Sequence, residues 1–161
     1  MDIGAGKSND GLFKTTDRGR TWQSVGGSTF LIRRPYRSGD KKWLGTDARS
    51  ICAVAVDPDD PNVVYAGTGN FMQDWGCRSW GGPAGGGHAP RGADGIRVSR
   101  DGGDTWARVG PGIPREAMLR RMVITRADSP VGKLLLAATS HGFFLSDDEG
   151  KSWEKRPSDT R

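Results

Sequence analysis

The sequence predicts an all-β fold built from a repeated four-stranded unit, and three observations predict it. One motif recurs: residues 15–22 read TTDRGRTW, residues 99–106 SRDGGDTW and residues 146–153 SDDEGKSW. Each fits Ser/Thr-x-Asp-x-Gly-x-Thr/Ser-Trp, and such self-similarity marks a repeat architecture. Each copy also lies between two short strand-like runs. Finally, 25 glycines and nine prolines accompany a hydrophobic content of only 34 % in 161 residues. That composition describes many turns between short strands. The best helix candidate, residues 115–121, is barely two turns long.

The elements follow in order. GLFK (11–14) precedes the first motif, GIRV (95–98) the second and GFFL (142–145) the third. QSV, ARV and EKR follow the three tryptophans, so each motif is the connection of a β-hairpin. Two further strands stand upstream of the second and third hairpins. ICAVAV (51–56) is joined to VVYAGT (63–68) by DPDDPN, and MVIT (122–125) to LLLAAT (134–139) by RADSPVG. Asp-Pro and Asn elements make turns because Pro presets φ and Asx side chains bond the nearby backbone. The unit is therefore four antiparallel strands, A to D, with the motif between C and D. Four-stranded units recurring every forty to fifty residues indicate a β-propeller.

The expected organisation is a partial propeller of about two and a half blades. Residues 1–26 supply strands B to D of blade one, 27–50 an inserted D–A loop, 51–110 blade two and 111–161 blade three. Residues 70–94 form a long B–C insertion in blade two. Propellers close with roughly four to eight blades, so further blades are expected from a longer parent chain or from self-association of an otherwise poorly behaved open ring.

Within the motif, Asp17, Asp101 and Asp148 are expected to accept bonds from the backbone N–H groups that follow. Gly19, Gly103 and Gly150 allow left-handed backbone, and Trp22, Trp106 and Trp153 pack on the neighbouring sheet. The reading is structural, with no metal; a calcium loop would require more oxygen ligands at fixed spacing. No cofactor is expected.

Charge and cysteines narrow the classes. A net charge of +5 arises from 24 Lys and Arg against 19 Asp and Glu. Basic chains can bind nucleic acid, but these bases are interspersed with acids and no recognition helix accompanies them, so nucleic acid is not an expected partner. No run approaches the ~20 apolar residues of a membrane span. The opening MDIGAGKSND lacks the pattern of a signal peptide. Cys52 and Cys77 have no metal spacing; a disulfide and two thiols both remain open.

The motif resembles the Asp-box, or bacterial neuraminidase repeat, of sialidases, sortilin-like domains and several glycosidase propellers. AVDPDDPNVVYAGTGN (55–70) is similar to the A–B hairpin of secreted Asp-box proteins, of glycoside hydrolase family 74 xyloglucanases and of photosystem II assembly-factor-like propellers. The resemblance implies a propeller and an extracellular or envelope location for the intact parent. It implies no particular activity, because Asp-boxes occur in enzymes and non-enzymes alike.

Topology then locates a site. In a meander, A–B and C–D connections share one face and B–C and D–A connections the other. The separation of Thr68 from Asp101 is 33 residues, against nine from Thr139 to Asp148. The B–C insertion of blade two and the D–A insertion before it thus emerge together, opposite the repeated turns. Long loops on a rigid scaffold carry binding. Their candidate ligand residues are Tyr36, Trp43, Asp74, Trp75, Trp80, His88 and Arg91, aromatic faces beside polar groups suited to a sugar. TGNFMQDWG resembles a Thr-Tyr-x-x-x-Trp loop of family 74 glycosidases.

A glycosidase needs two carboxyl groups at a fixed separation. The Thr-Asp-x-Gly-Gly loops that carry them in family 74 have no match here, and the only catalytic candidates are Asp47 and Asp74. Glu116, Glu149 and Glu154 are the only glutamates, and LIRRP (31–35) only loosely resembles the arginine motif of sialidases. His88 and His141 lack a Ser or Cys partner in a recognised motif. The expected function is binding of carbohydrate or a protein partner without complete catalytic machinery. The alternatives are a glycosidase fragment whose second acid lies in other blades, and a non-enzymatic scaffold or assembly factor.

Overall fold

The computed structural model describes residues 12–38, 41–48, 50–69, 95–115 and 117–157, with residues 31–48 described by their backbone. The fold is all-β: twelve strands and one short 3-10 turn, with no α-helix among the described residues. Blade two is the meander β5 (Ser50–Val56), β6 (Val64–Gly69), β7 (Ile96–Ser99) and β8 (Ala107–Arg108), hydrogen-bonded in that order. Blade three repeats it with β9 (Leu119–Arg126), β10 (Lys133–Thr139), β11 (Gly142–Ser146) and β12 (Glu154–Arg156). Blade one contributes the hairpin of β1 (Phe13–Lys14) and β2 (Gln23–Ser24). This is a partial propeller of four-stranded antiparallel blades. The strand B expected at residues 2–6 lies outside the described residues.

Two segments differ from expectation. The poor helix candidate at 115–121 is not helical among its described residues: its last three residues open β9, in which Leu119 and Met122 both reach the core. The strand manages this with a bulge: Thr139 faces Leu119 and Ala138 faces Arg121, leaving Arg120 as the extra residue. The A strand of blade two has the same device, with Cys52 extra between Ile51 and Ala53. Each A strand thus carries a bulge at the equivalent register position, where a strand bends. Residues 27–50, expected as a loop, form the 3-10 turn Gly27–Phe30 and a two-stranded ribbon of β3 (Leu31–Ser38) and β4 (Lys41–Ala48). Pro35 fits within β3 because both strands of the ribbon have a single partner among the described residues, and a missing N–H is tolerated on such an edge.

Backbone bonds confirm two faces. The C–D turn of blade two touches its A–B turn through Gly102 N–H to Asn62 O at 2.9 Å. On the other side, the D–A connection meets the B–C turn of blade three. Ser140 N–H donates to Met118 O at 3.0 Å, and Met118 N–H to Ser140 Oγ at 3.1 Å.

The core lies between blades two and three, where Tyr65, Ile96 and Val109 meet Leu119, Leu135, Phe144 and Trp153. One contact sets the blade spacing: a Cβ added to Gly67 would stand 2.0 Å from Leu119 Cδ2. Glycine here makes room for the Leu119 side chain on the neighbouring strand. Gly67→Ala is expected to lower unfolding free energy by about 1–3 kcal/mol, the usual cost of overpacking. In urea titrations the Gly67→Ala/Leu119→Ala double variant should lose less than the sum of the singles by at least about 1 kcal/mol.

Candidate functional site

The repeated turns come first, because they define one face of the blades. In blade two, Ser99 Oγ donates to Asp101 Oδ1 at 2.7 Å and accepts from the N–H groups of Asp101 and Gly103 at 3.3 and 2.7 Å. Asp101 Oδ1 accepts from Thr105 N–H at 2.9 Å, and its Oδ2 from the Thr105 hydroxyl. Blade one reproduces this with Thr15, Asp17, Gly19 and Thr21. Blade three does so with Ser146, Asp148, Gly150 and Ser152. Both carboxylate oxygens are engaged each time, so these acids act as turn clamps.

The clamp holds two successive residues in the left-handed region. Arg18 and Gly19 have φ of 60° and 85°, Gly102 and Gly103 70° and 102°, Glu149 and Gly150 60° and 79°. Two positive φ values in a row are those of a type I′ turn. The motif marks the second position by glycine. The first is marked only in blade two, so sequence reasoning missed Arg18 and Glu149.

Their proton affinities follow. The Thr21 hydroxyl, then the Thr21 N–H, hold Asp17 at about 2 against 3.8. The Thr105 hydroxyl, followed by its N–H, holds Asp101 well below the usual carboxylate range. Burial pushes Asp148 up, but bonds from Ser152 and Ser146 outweigh it and leave the group at about 2 against 3.8.

The outer carbonyls of these turns receive the preceding blade. Gly26 N–H donates to Gly103 O at 3.0 Å, and Gly110 N–H to Gly150 O at 2.8 Å. A second donor reaches the carbonyl before each: Lys14 Nζ to Gly102 O at 2.9 Å, and the Tyr65 hydroxyl to Glu149 O at 2.9 Å. Val25 and Val109 wedge against Gly103 and Gly150. Trp106 packs edge-to-face on Phe30 with centroids 5.2 Å apart, and Trp153 is 5 % exposed. Trp22 departs from its expected packing at 62 % exposure, because no described residue flanks blade one on that side.

An ion network ties the A–B turns of blades two and three together. Lys133 Nζ lies 2.8 Å from both oxygens of Asp57 and 3.4 Å from Asp59, which also pairs with Arg126. Burial raises the Asp57 pKa, but Lys133 and the N–H groups of Asp59 and Asp60 more than offset it, so the net shift is downward. Sequence reasoning saw here only turn formers. The basic residue at 133 was the available signal.

On the opposite face the β3–β4 ribbon is rooted where Leu31 faces Ala48, two residues before β5 begins with Ser50 opposite Gly69. Its register sets Tyr36 opposite Trp43 and Ile32 opposite Asp47. Three of the candidate residues, Tyr36, Trp43 and Asp47, thus occupy alternate positions of one ribbon. Asp74, Trp75, Trp80, His88 and Arg91 lie outside the described residues, as does Cys77. The bracketing residues are held together, Thr68 N–H donating to Gly95 O at 3.2 Å. His141 lies at the B–C turn of blade three, beside the Ser140 hydroxyl at 3.0 Å.

No family model matches the chain. A xyloglucanase from Paenibacillus sp. is 28 % identical over 120 residues, covering 70 % of this chain and 10 % of that protein. Xyloglucanase Xgh74A from Acetivibrio thermocellus is 29 % identical over 111 residues, 64 % of this chain and 11 % of its own length. The crystal structure of an ancestral GH74 enzyme aligns with a TM-score of 0.51 and 19 % identity over 95 % of this chain and 22 % of that one. The chain has the fold of a β-propeller segment and is similar to part of these enzymes. It spans about a tenth of the length of the curated relatives it matches.

The depressed carboxyl of Asp148 fixes the sign of an acid effect. A group whose folded pKa lies below its unfolded value stabilises the fold above the unfolded pKa and loses that contribution as pH falls through the folded one. The contribution of Asp148 to stability is therefore expected to be present above its ordinary value of 3.8 and to be lost as pH falls from there through about 2. Tryptophan fluorescence should follow the loss, and Asp148→Asn, less stable at neutral pH, should show a flatter profile over that interval.

Proposed function

We propose that this segment presents a carbohydrate-binding surface on the B–C and D–A side of the propeller, with the Asp-box turns as its structural frame. The observation that carries the reading is the ribbon register, in which Tyr36 and Trp43 are direct cross-strand partners and Asp47 lies further along the same strand as Trp43. Cross-strand partners stand about 5 Å apart, so the register brings two aromatic positions next to each other on one ribbon. Arg34, opposite Gly45, adds a cation within the same ribbon. Both curated relatives are named as xyloglucanases, which makes xyloglucan oligosaccharide the first ligand to test.

Asp47 and Asp74 remain the candidates for any acid that a glycosidase reading would need. The turn carboxylates Asp17, Asp101 and Asp148 are engaged by hydroxyl and backbone donors and take no part in it. A scaffold role would leave the same face for a protein partner. Sugar binding and its loss on replacement of Trp43, Trp75 or Trp80 favour the carbohydrate reading; partner capture without sugar binding favours the scaffold.

Trp43→Ala is expected to weaken binding of a xyloglucan oligosaccharide at least about tenfold, equivalent to about 1.4 kcal/mol, in calorimetric titration. Asp47→Asn should change affinity less than Trp43→Ala. Unchanged affinity in both Trp43→Ala and Tyr36→Ala would remove the ribbon from the site.

A further inference from the structure

The positive charge of the chain is concentrated in one element. Residues 31–49 hold six cations, Arg33, Arg34, Arg37, Lys41, Lys42 and Arg49, against Asp40 and Asp47, a net of +4. The whole chain of 161 residues carries +5, so everything outside this stretch is close to neutral. Among the described residues, ion pairs join Lys133 to Asp57 and Asp59, Arg126 to Asp59 and Arg100 to Glu149. These stand at or beside the A–B and C–D turns, so their acids are engaged on the face opposite the ribbon.

Within the ribbon the register sets no acid opposite a cation. Arg33 faces Thr46, Arg34 faces Gly45, Lys41 faces Ser38, and Arg37 faces Lys42. Like charges directly opposite each other destabilise a strand pair, so the Arg37–Lys42 pair favours the arrival of an anion. Successive partners alternate between the two faces of a ribbon. One face therefore carries, from root to tip, Ile32 with Asp47, Arg34 with Gly45, Tyr36 with Trp43 and Ser38 with Lys41. The aromatic pair is bracketed by Arg34 and Lys41, each two residues away along its strand, or about 7 Å.

We infer that this face takes an acidic glycan, one whose sugar rings bear carboxylates. Tyr36 and Trp43 offer two aromatic positions to the apolar side of a sugar, and Arg34 and Lys41 supply a cation to either side of them. A guanidinium matches a carboxylate with two parallel hydrogen bonds. Asp47, at the root of the same face, suits sugar hydroxyls and would oppose a run of phosphates, which sets a glycan ahead of a nucleic acid. The inference rests on the carbohydrate reading and narrows it, because a neutral oligosaccharide brings nothing to neutralise the ribbon.

Calorimetric titration of the full chain with an oligogalacturonate and with its methyl ester tests it, since the esterified sugar has lost its charge. The acid is expected to bind at least about tenfold more tightly at low ionic strength, the effect of one or two charge-assisted hydrogen bonds. Added sodium chloride should shrink that margin by screening. Arg34→Gln/Lys41→Gln should lower affinity for the acid more than for the ester. Equal affinity for acid and ester, both lost in Trp43→Ala, would overturn the acidic ligand and keep the carbohydrate reading. A xyloglucan oligosaccharide bound while the acid is not would do the same. Binding of none of the three would overturn both. A single-stranded oligonucleotide bound in preference to the acid, and lost in Arg34→Gln/Lys41→Gln, would assign the ribbon to nucleic acid instead.

Discussion

The glycine carbonyl of the repeated turns in blades two and three, bonded by the blade before it, is the interaction on which the rest of the structure depends. A carboxylate and two hydroxyls hold the turn, so the turn needs nothing from outside to keep its shape. That self-sufficiency frees its two outer carbonyls to accept bonds across a blade boundary. Gly26 and Gly110 meet them through the backbone, and Lys14 and Tyr65 through side chains. Glycine at the turn is required twice, once for left-handed backbone and once to seat the valine of the preceding blade.

Packing follows from that geometry. With the turns fixed, strands A and B of successive blades stack so that Leu119 fills the space above Gly67 and the Lys133 ammonium reaches Asp57. The matching bulges at Cys52 and Arg120 stand at equivalent register positions of the two A strands. The turns, their ion network and the blade junctions all lie toward one face. The ribbon carrying Tyr36, Trp43 and Asp47 arises on the opposite side, where chain enters β5 and leaves β6.

Much of this was legible because it is local. The Ser/Thr-x-Asp-x-Gly-x-Thr/Ser-Trp spacing dictates a hairpin turn, and alternating apolar runs between Asp-Pro and Gly signals dictate short strands. The strands of blades two and three lie within a few residues of where those signals put them. The left-handed backbone at Arg18 and Glu149 was hidden, since only glycine advertises positive φ. The pairing of Lys133 with Asp57 was also hidden, because 76 residues separate them and no local pattern links the two turns. The ribbon at 31–48 was hidden too, because the length of the D–A connection reads as an inserted loop, and the pairing has no counterpart in the other blades. Of the candidate site, loop lengths pointed to the side opposite the repeated turns, but the pairing of residues 31–48 as a ribbon was not readable from them. The geometry of Asp74, Trp75, Trp80, His88 and Arg91 depends on how a glycine-rich insertion folds, which no spacing rule specifies.

Amide hydrogen exchange at Gly26 and Gly110 tests the central claim most directly, because neither residue belongs to a strand and each donates its N–H across a blade boundary. Protection at both sites comparable to that of the β6 and β10 strands is the result expected if these bonds join the blades. Exchange at the rate of an unstructured peptide, with the β6 and β10 amides still protected, would contradict it.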